Sequence, residues 1–223
     1  MTDPYPRADG DRSDSGRADD GRADGGRRVG RQPISSRAEI EHLALRLFDE
    51  RGFEQTTVDD IAAAAGIARR TFFGYFASKN DVPWGSFDRE LAQLRDVLAA
   101  MPDDLPVMTA IRLAVLRFNT VDPAEQPWHR RRLALILGTP ALQAHSTLRY
   151  TEWRRVITEF VARRHDLPEG SLIVQTIGYT SLAAAIAAYE VWLDEPDSDL
   201  LRLLDEAFRA VADGFATAAH PRT

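Results

Sequence analysis

Residues Thr57 to Lys79 read TVDDIAAAAGIARRTFFGYFASK. Val58, Ile61, Ala62 and Ala65 recur at helical spacing. Thr57 is placed to cap that helix, and Asp60, three residues on, to return the bond. Gly66 supplies the permissive backbone needed for a turn between two crossing helices. A short second helix then offers Arg69, Arg70, Thr71, Phe73 and Tyr75 within two turns. That basic, hydroxyl-bearing and aromatic face has the size a DNA major groove admits. The stretch reads as helix, tight turn, short helix and the capped start of a third. This is a helix-turn-helix, and it points to a DNA-binding regulator.

Working outward, Ser36 and Glu39 form a capping-box pattern. Ile40, Leu43, Ala44, Leu47 and Phe48 come next as one apolar stripe, and Gly52 ends that helix. Residues 1–33 differ from the rest: Arg-Ala-Asp recurs at Arg7, Arg17 and Arg22 among glycines and aspartates. With almost no large apolar residue to bury, this tail is expected to be disordered. It is either a solvated tail or, through Arg27, Arg28 and Arg31, an arm that enters a minor groove.

On the other side, Ser78 to Asp81 repeats the cap pattern and opens a helix through Phe87, Leu91, Leu94 and Leu98. Pro83 should kink or delay it, because proline cannot donate to the helix ladder. Proline-bearing breaks at Pro102, Pro123, Pro140 and Pro168 divide the remainder into helices near 105–120, 127–138, 142–165, 171–194 and 198–218. No period-2 strand pattern stands out. The expected fold is all-α: a tail over 1–33, a three-helix DNA-binding head over 34–80, and a helical ligand-binding and dimerisation body over 81–223.

The two last segments are the most apolar. One carries Ile177, Ser181, Ala184, Ala185 and Ala188; the other carries Leu200, Leu201, Leu204, Phe208, Val211 and Phe215. Small residues let helices approach closely, so this pair either joins its copies in a homodimer bundle or forms an intramolecular core.

The 223 residues carry a formal charge of -6, an odd balance for a DNA binder. Net charge describes the whole surface, however, and a local basic patch is enough to hold phosphates. The chain's only lysine, Lys79, lies beside that patch. The lack of cysteine excludes disulfides, thiolate zinc sites and cysteine nucleophiles. The charged start does not resemble a secretory signal. The apolar run from Leu172 to Leu193 is interrupted by polar residues and reads as a buried helix rather than a membrane span. A soluble, cytoplasmic protein without membrane partner or cofactor is expected.

The stretch LALRLFDERGFEQTTVDDIAAAAGI, followed by TFFGYFASK, resembles the N-terminal domain of the TetR family of bacterial regulators. The runs KNDVPWG at 79–85, PWHRRR at 127–132 and PALQAHSTLRY at 140–150 are similar to the mycofactocin-system subgroup of that family. The resemblance implies an all-helical dimer, most often a repressor that leaves a double-stranded operator when a small-molecule inducer enters the body. For the subgroup it implies control of mycofactocin genes and acyl-CoA thioesters as effectors. It also implies phosphate contacts from Thr57, Tyr75 and Lys79, although Thr57 also serves as a helix cap. Gly74 departs from the family pattern, which often has a polar or basic residue there. The fourth helix of the family links body to head, so Pro83-Trp84-Gly85 is either a hinge or a local kink packed by Trp84.

Arg69 and Arg70 are the candidates for reading base edges or phosphates. Phe73 is assigned to the groove or a sugar, and Phe72 and Phe76 to the core. Arg130, Arg131 and Arg132 form a like-charged run, either a solvated face or a site for the phosphates of an acyl-CoA. Phe118, Leu133, Ile136, Trp153, Ile157 and Tyr189 either line an apolar channel for its chain or, each taken singly, belong to the plain core. The rival classes are weaker. Glu39 and His42 form a single Glu-x-x-His pair, where a di-iron bundle uses two. The remaining histidines lack zinc spacing, and no nucleophile elbow or phosphate loop occurs. A protein-binding module with a decayed head is opposed by the intact Arg69-Arg70-Thr71 face.

Overall fold

The computed structural model describes residues 36–214, and every regular element among them is helical. The order is α1 (Arg37–Arg51), α2 (Val58–Ala65), α3 (Arg69–Tyr75), a 3-10 segment (Lys79–Trp84), α4 (Phe87–Ala99), α5 (Val107–Phe118), α6 (Gln126–Gly138), α7 (Pro140–His165), α8 (Leu172–Asp194) and α9 (Leu200–Ala212). The expected tail, its Arg27, Arg28 and Arg31 arm, and Phe215 lie outside the described residues.

Local chemistry sets the head. The Ser36 hydroxyl accepts from the Glu39 amide at 3.2 Å, and the Glu39 carboxylate accepts from the Ser36 amide at 3.1 Å. These bonds satisfy donors that the first turn of α1 would otherwise leave open. Gly66 closes α2 in the left-handed region, at φ 69 and ψ 27. A side chain there would be strained, and the turn sets α3 across α2. The α1 stripe then packs on Ile61, Ala65, Phe72 and Phe76. Leu142, from α7, is fully buried in the same core, so the head is seated on the body.

The third cap pattern opens a different element. Ser78 places no side-chain bond on the backbone; its hydroxyl donates to the Asp81 carboxylate at 2.7 Å. The chain then forms a six-residue 3-10 segment containing Pro83, and α4 starts only at Phe87. Pro83 lacks the amide an α-helix needs there, and Gly85 turns the chain at φ +49. A Cβ on Gly85 would lie 2.7 Å from Glu41 Oε2, so glycine is required by both backbone angle and space.

The body core joins Leu91, Leu94 and Leu98 of α4 to Ala110, Ile111, Ala114 and Val115 of α5, and to the inner faces of α7, α8 and α9. Pro140 does not introduce a loop. It occupies the first turn of α7, where its missing amide costs nothing, and Thr139 serves both α6 and α7. The small-residue stripe of α8 is used within the chain: Ser181, Ala184, Ala185 and Ala188 are all buried. At Gly178 the fit to α7 is closer still, since a Cβ would lie 2.6 Å from Thr158 Cγ2. The apolar side chains α8 leaves exposed are others, namely Leu172, Ile173, Tyr179 and Val191. The helix is long and apolar enough to cross a membrane, yet it forms part of the body core.

One buried ion pair ties head to body. Arg132 on α6 donates to Glu41 Oε1 on α1 through Nε at 2.9 Å and also through Nη2. The Glu41 side chain is only 6% exposed. Removing one member of such a pair strands a desolvated charge. Arg132→Met is therefore expected to cost about 3 kcal/mol in urea unfolding. The double variant Glu41→Gln, Arg132→Met should recover much of that loss; equal losses in both would show that the two side chains are not coupled.

Candidate functional site

Two regions carry the chemistry, a basic face on the head and a cavity in the body. On the face, Phe72 and Phe76 anchor α3 in the head core and leave Arg69, Arg70, Thr71, Phe73 and Gly74 exposed. Phe73 is 44% exposed, a high value for an aromatic side chain beside two cations. Arg69 Nη1 bonds both oxygens of Asp59, at 2.8 and 2.7 Å, and its guanidinium lies 5.4 Å from the Phe73 ring centre. Arg70 has no side-chain partner among the described residues. A Cβ on Gly74 would meet nothing within 4 Å, so this departure leaves open surface on the exposed face.

The proposed phosphate contacts have local partners as well. The Thr57 hydroxyl completes the α2 capping box, accepting from the Asp60 amide and donating to its carboxylate at 2.6 Å. The hydroxyl's donation, with a second bond from the Thr57 amide to the same carboxylate at 2.8 Å, holds the Asp60 carboxyl below its ordinary range. Lys79 Nζ donates to the Phe53 carbonyl at 2.7 Å and lies 4.3 Å from the Phe53 ring centre. An ammonium has three donors, so these bonds leave capacity for a phosphate. Tyr75 is half-buried against the head core. Arg37, which no motif singles out, donates to the carbonyls of Tyr75 and Gly85 and covers Phe76. It therefore pins the end of α3 to the bend before α4.

The cavity lies between α4, α5, α6, α7 and α8 and has a volume of about 600 Å³. Phe118, Leu133, Ile136, Trp153 and Tyr189 line it, as does Trp84 from the 3-10 segment. Trp84 packs edge-on against Phe87 and Tyr150, at 5.1 and 6.0 Å between ring centres. Its indole N–H is buried without a hydrogen-bond partner among the described residues, and so is Nε2 of His129 in the same lining. Tyr189 donates to Asn119 Oδ1 at 2.7 Å, and burial pushes its phenol pKa up. Burial, with the Arg132 charge beside it, lowers the His129 pKa to about 4. Burial raises the carboxyl of Glu90, also in the lining, against the opposing charge of Arg132.

The arginine run does not act as a unit. Helical rotation sends its three side chains to three places. Arg130 donates to the carbonyls of Trp192 and Leu193 at the end of α8 and covers the Trp192 ring. Arg131 pairs with Asp49 at 3.1 Å and covers Trp128. Of the three, only Arg132 lines the cavity. Ile157, expected in the channel, is fully buried in the body core instead, because its face of α7 meets neighbouring helices.

Over residues 40–82 the chain matches the domain of bacterial regulatory proteins, tetR family, and over residues 105–216 it matches the MftR C-terminal domain. The chain belongs to the TetR family. It is 45% identical over 186 residues to a Mycobacterium tuberculosis protein assigned as the mycofactocin biosynthesis transcriptional regulator MftR, covering 83% of this chain and 94% of that one. Two solved structures share the fold. FadR from Bacillus halodurans, a fatty acid degradation regulator, has a TM-score of 0.58 at 16% identity, covering 81% of this chain and 96% of that one. Thermus thermophilus FadR, a repressor solved in complex with lauroyl-CoA, has a TM-score of 0.51 at 22% identity, covering 84% and 99%. This TetR-family chain is accordingly a transcriptional regulator and not an enzyme.

The exposed face of α3 and the buried His129 can each be tested. Changing Arg69 and Arg70 together to alanine should abolish sequence-specific DNA binding by this regulator, read by fluorescence anisotropy, with the far-UV circular dichroism unchanged; retained affinity would remove both from the interface. For His129 the readout is acid stability. Its side chain titrates at about 4 in the fold, against 6.5 for the unperturbed group. Between those values the unfolded chain binds the extra proton, so acidification through that window destabilises the fold. Glu90 works in the opposite sense, because its raised pKa favours protonation in the folded protein. Thermal melts of His129→Gln should therefore lose less stability between pH 7 and pH 4.5 than the parent does; an unchanged pH profile would show that His129 is not buried as a neutral group.

Proposed function

We propose that this regulator is a homodimeric repressor of mycofactocin-related genes, released from its operator when a long-chain acyl-CoA enters the body cavity. The carrying observation is the position of Arg132, which lines the cavity and holds Glu41 on the first helix of the head. A ligand that favours a different position for α6 or its arginine alters the support of the head directly. The coupling is limited by the ligand's differential affinity for the two arrangements.

Other features agree with this reading. Arg70 and Phe73 are exposed on the helix that would enter the major groove. Exposed Leu172, Ile173, Tyr179 and Val191 on α8 offer apolar surface for pairing through the last two helices. A two-fold dimer would set its recognition helices roughly 34–36 Å apart, for successive major grooves of a near-palindromic site. The apolar lining suits an acyl chain, and the lauroyl-CoA complex of the Thermus thermophilus FadR supports that ligand class. Such a protein works in the cytoplasm, where operator and thioester meet, and needs no cofactor.

The test is a gel-shift titration on the DNA upstream of the gene and its neighbours, with and without palmitoyl-CoA. Specific binding that the thioester releases is the expected result. Specific binding indifferent to it would retain the regulator and discard the effector.

A further inference from the structure

An acyl-CoA presents two unlike halves, an apolar chain and a nucleotide carrying several phosphates. A cavity of about 600 Å³ suits the chain and its thioester, so the nucleotide half would extend through the mouth. The arginine run is not available there: Arg130 and Arg131 are held elsewhere, and Arg132 is committed to Glu41. The cavity lining includes two other arginines, Arg89 on α4 and Arg117 on α5. Both are exposed. Neither has a hydrogen bond or ion pair from its guanidinium among the described residues; the Arg89 charge bears on Glu90, next in the chain. Other cations of the same helices are engaged: Arg95 of α4 pairs with Glu159, and Arg112 of α5 with Asp205.

We propose that Arg89 and Arg117 form an anion subsite at the cavity mouth, holding the phosphate-bearing headgroup of an amphiphile whose apolar tail fills the cavity. This rests on the effector reading above and adds the group that distinguishes a phosphorylated ligand from a plain fatty acid. Guanidinium is well suited to the task, since its planar fork bonds phosphate oxygens through two charge-assisted hydrogen bonds. Asp96 lies in the same lining and opposes an anion, while Gln93 adds a neutral donor. Of the two acids flanking Arg89 in the chain, Asp88 pairs with Arg149, and burial disfavours the charged form of Glu90. The subsite bridges two helices, one of which, α4, comes directly after the Gly85 bend. A headgroup held there engages the helix that leaves the head.

Two ligand sources share this chemistry, coenzyme A thioesters and lysophospholipids. The full-length protein would be titrated with palmitoyl-CoA, palmitoyl lysophosphatidate and palmitate, each below its micelle concentration. Binding would be followed by the fluorescence of the cavity tryptophans and confirmed by calorimetry. The parent should prefer a phosphorylated ligand over palmitate by about tenfold or more, and the preferred ligand names the source. Arg89→Gln with Arg117→Gln should lose that preference and keep its palmitate affinity, whereas Arg163→Gln, an exposed change on α7, should alter neither. Asp96→Asn should tighten the phosphorylated ligand. Equal parent affinity for palmitate and the phosphorylated ligands would overturn the subsite and leave the cavity reading intact, as would an unchanged preference in the double variant. No binding of any of the three would remove the effector reading and the subsite with it.

Discussion

The contact on which the arrangement turns is the bond between Glu41 and Arg132. Taking two charges out of water is costly, and their attraction offsets that cost only in good geometry. Here the geometry is a double donation from one guanidinium to one carboxylate oxygen. It fixes three elements at once. Glu41 sets the azimuth of α1, Arg132 sets α6, and the chain after the 3-10 segment must pass so near the carboxylate that only Gly85 fits. The head cannot rotate on the body without exposing one of these charges or leaving it without a partner.

Around that pair lies a seam of further polar contacts. His42 stacks on Trp128 with ring centres 4.2 Å apart and bonds Glu125 at 3.1 Å. Asp49 pairs with Arg131, and Asp81 bonds both His145 and Arg149. The Asp49 and Glu125 pairs are about half exposed and contribute little each, because water and salt screen them, whereas the Asp81 pairs are mostly buried. The exposed pairs orient the seam, while the buried Glu41–Arg132 pair, the Asp81 pairs and Leu142 hold it. The cavity reaches the same place from the body side through Arg132 and Trp84. The cavity and the head thus share a wall, built on Arg132 and the Glu41 it holds.

Much of this was legible in the chain. The capping boxes at Ser36 and Thr57 form as read, because their donors and acceptors are only three residues apart and need no tertiary partner. The apolar stripe of α1 is buried, and Gly66 takes the turn assigned to it. The pattern at Ser78 misled: the same residue types are present, but Pro83 denies the α-helix its amide and a 3-10 segment results. Glu41 was invisible, since a glutamate between apolar positions reads as solvent-facing until its partner, far along the chain, is known. The arginine run misled for a related reason. Adjacent residues on a helix point about a quarter-turn apart, so charge density in sequence is not charge density in space.

Taken alone, the sequence determined the helices, the helix-turn-helix and its exposed Arg69-Arg70-Thr71 face, and through the resemblance the TetR family, because caps, periodicity and local motifs act within a few residues. The tertiary structure decided which charges meet. It placed Arg132 against Glu41, left Arg89 and Arg117 exposed in the cavity lining without a partner among the described residues, and used the small-residue stripe of α8 inside the chain. These outcomes depend on partners tens of residues apart, and a linear pattern holds no record of which helix face will turn toward which.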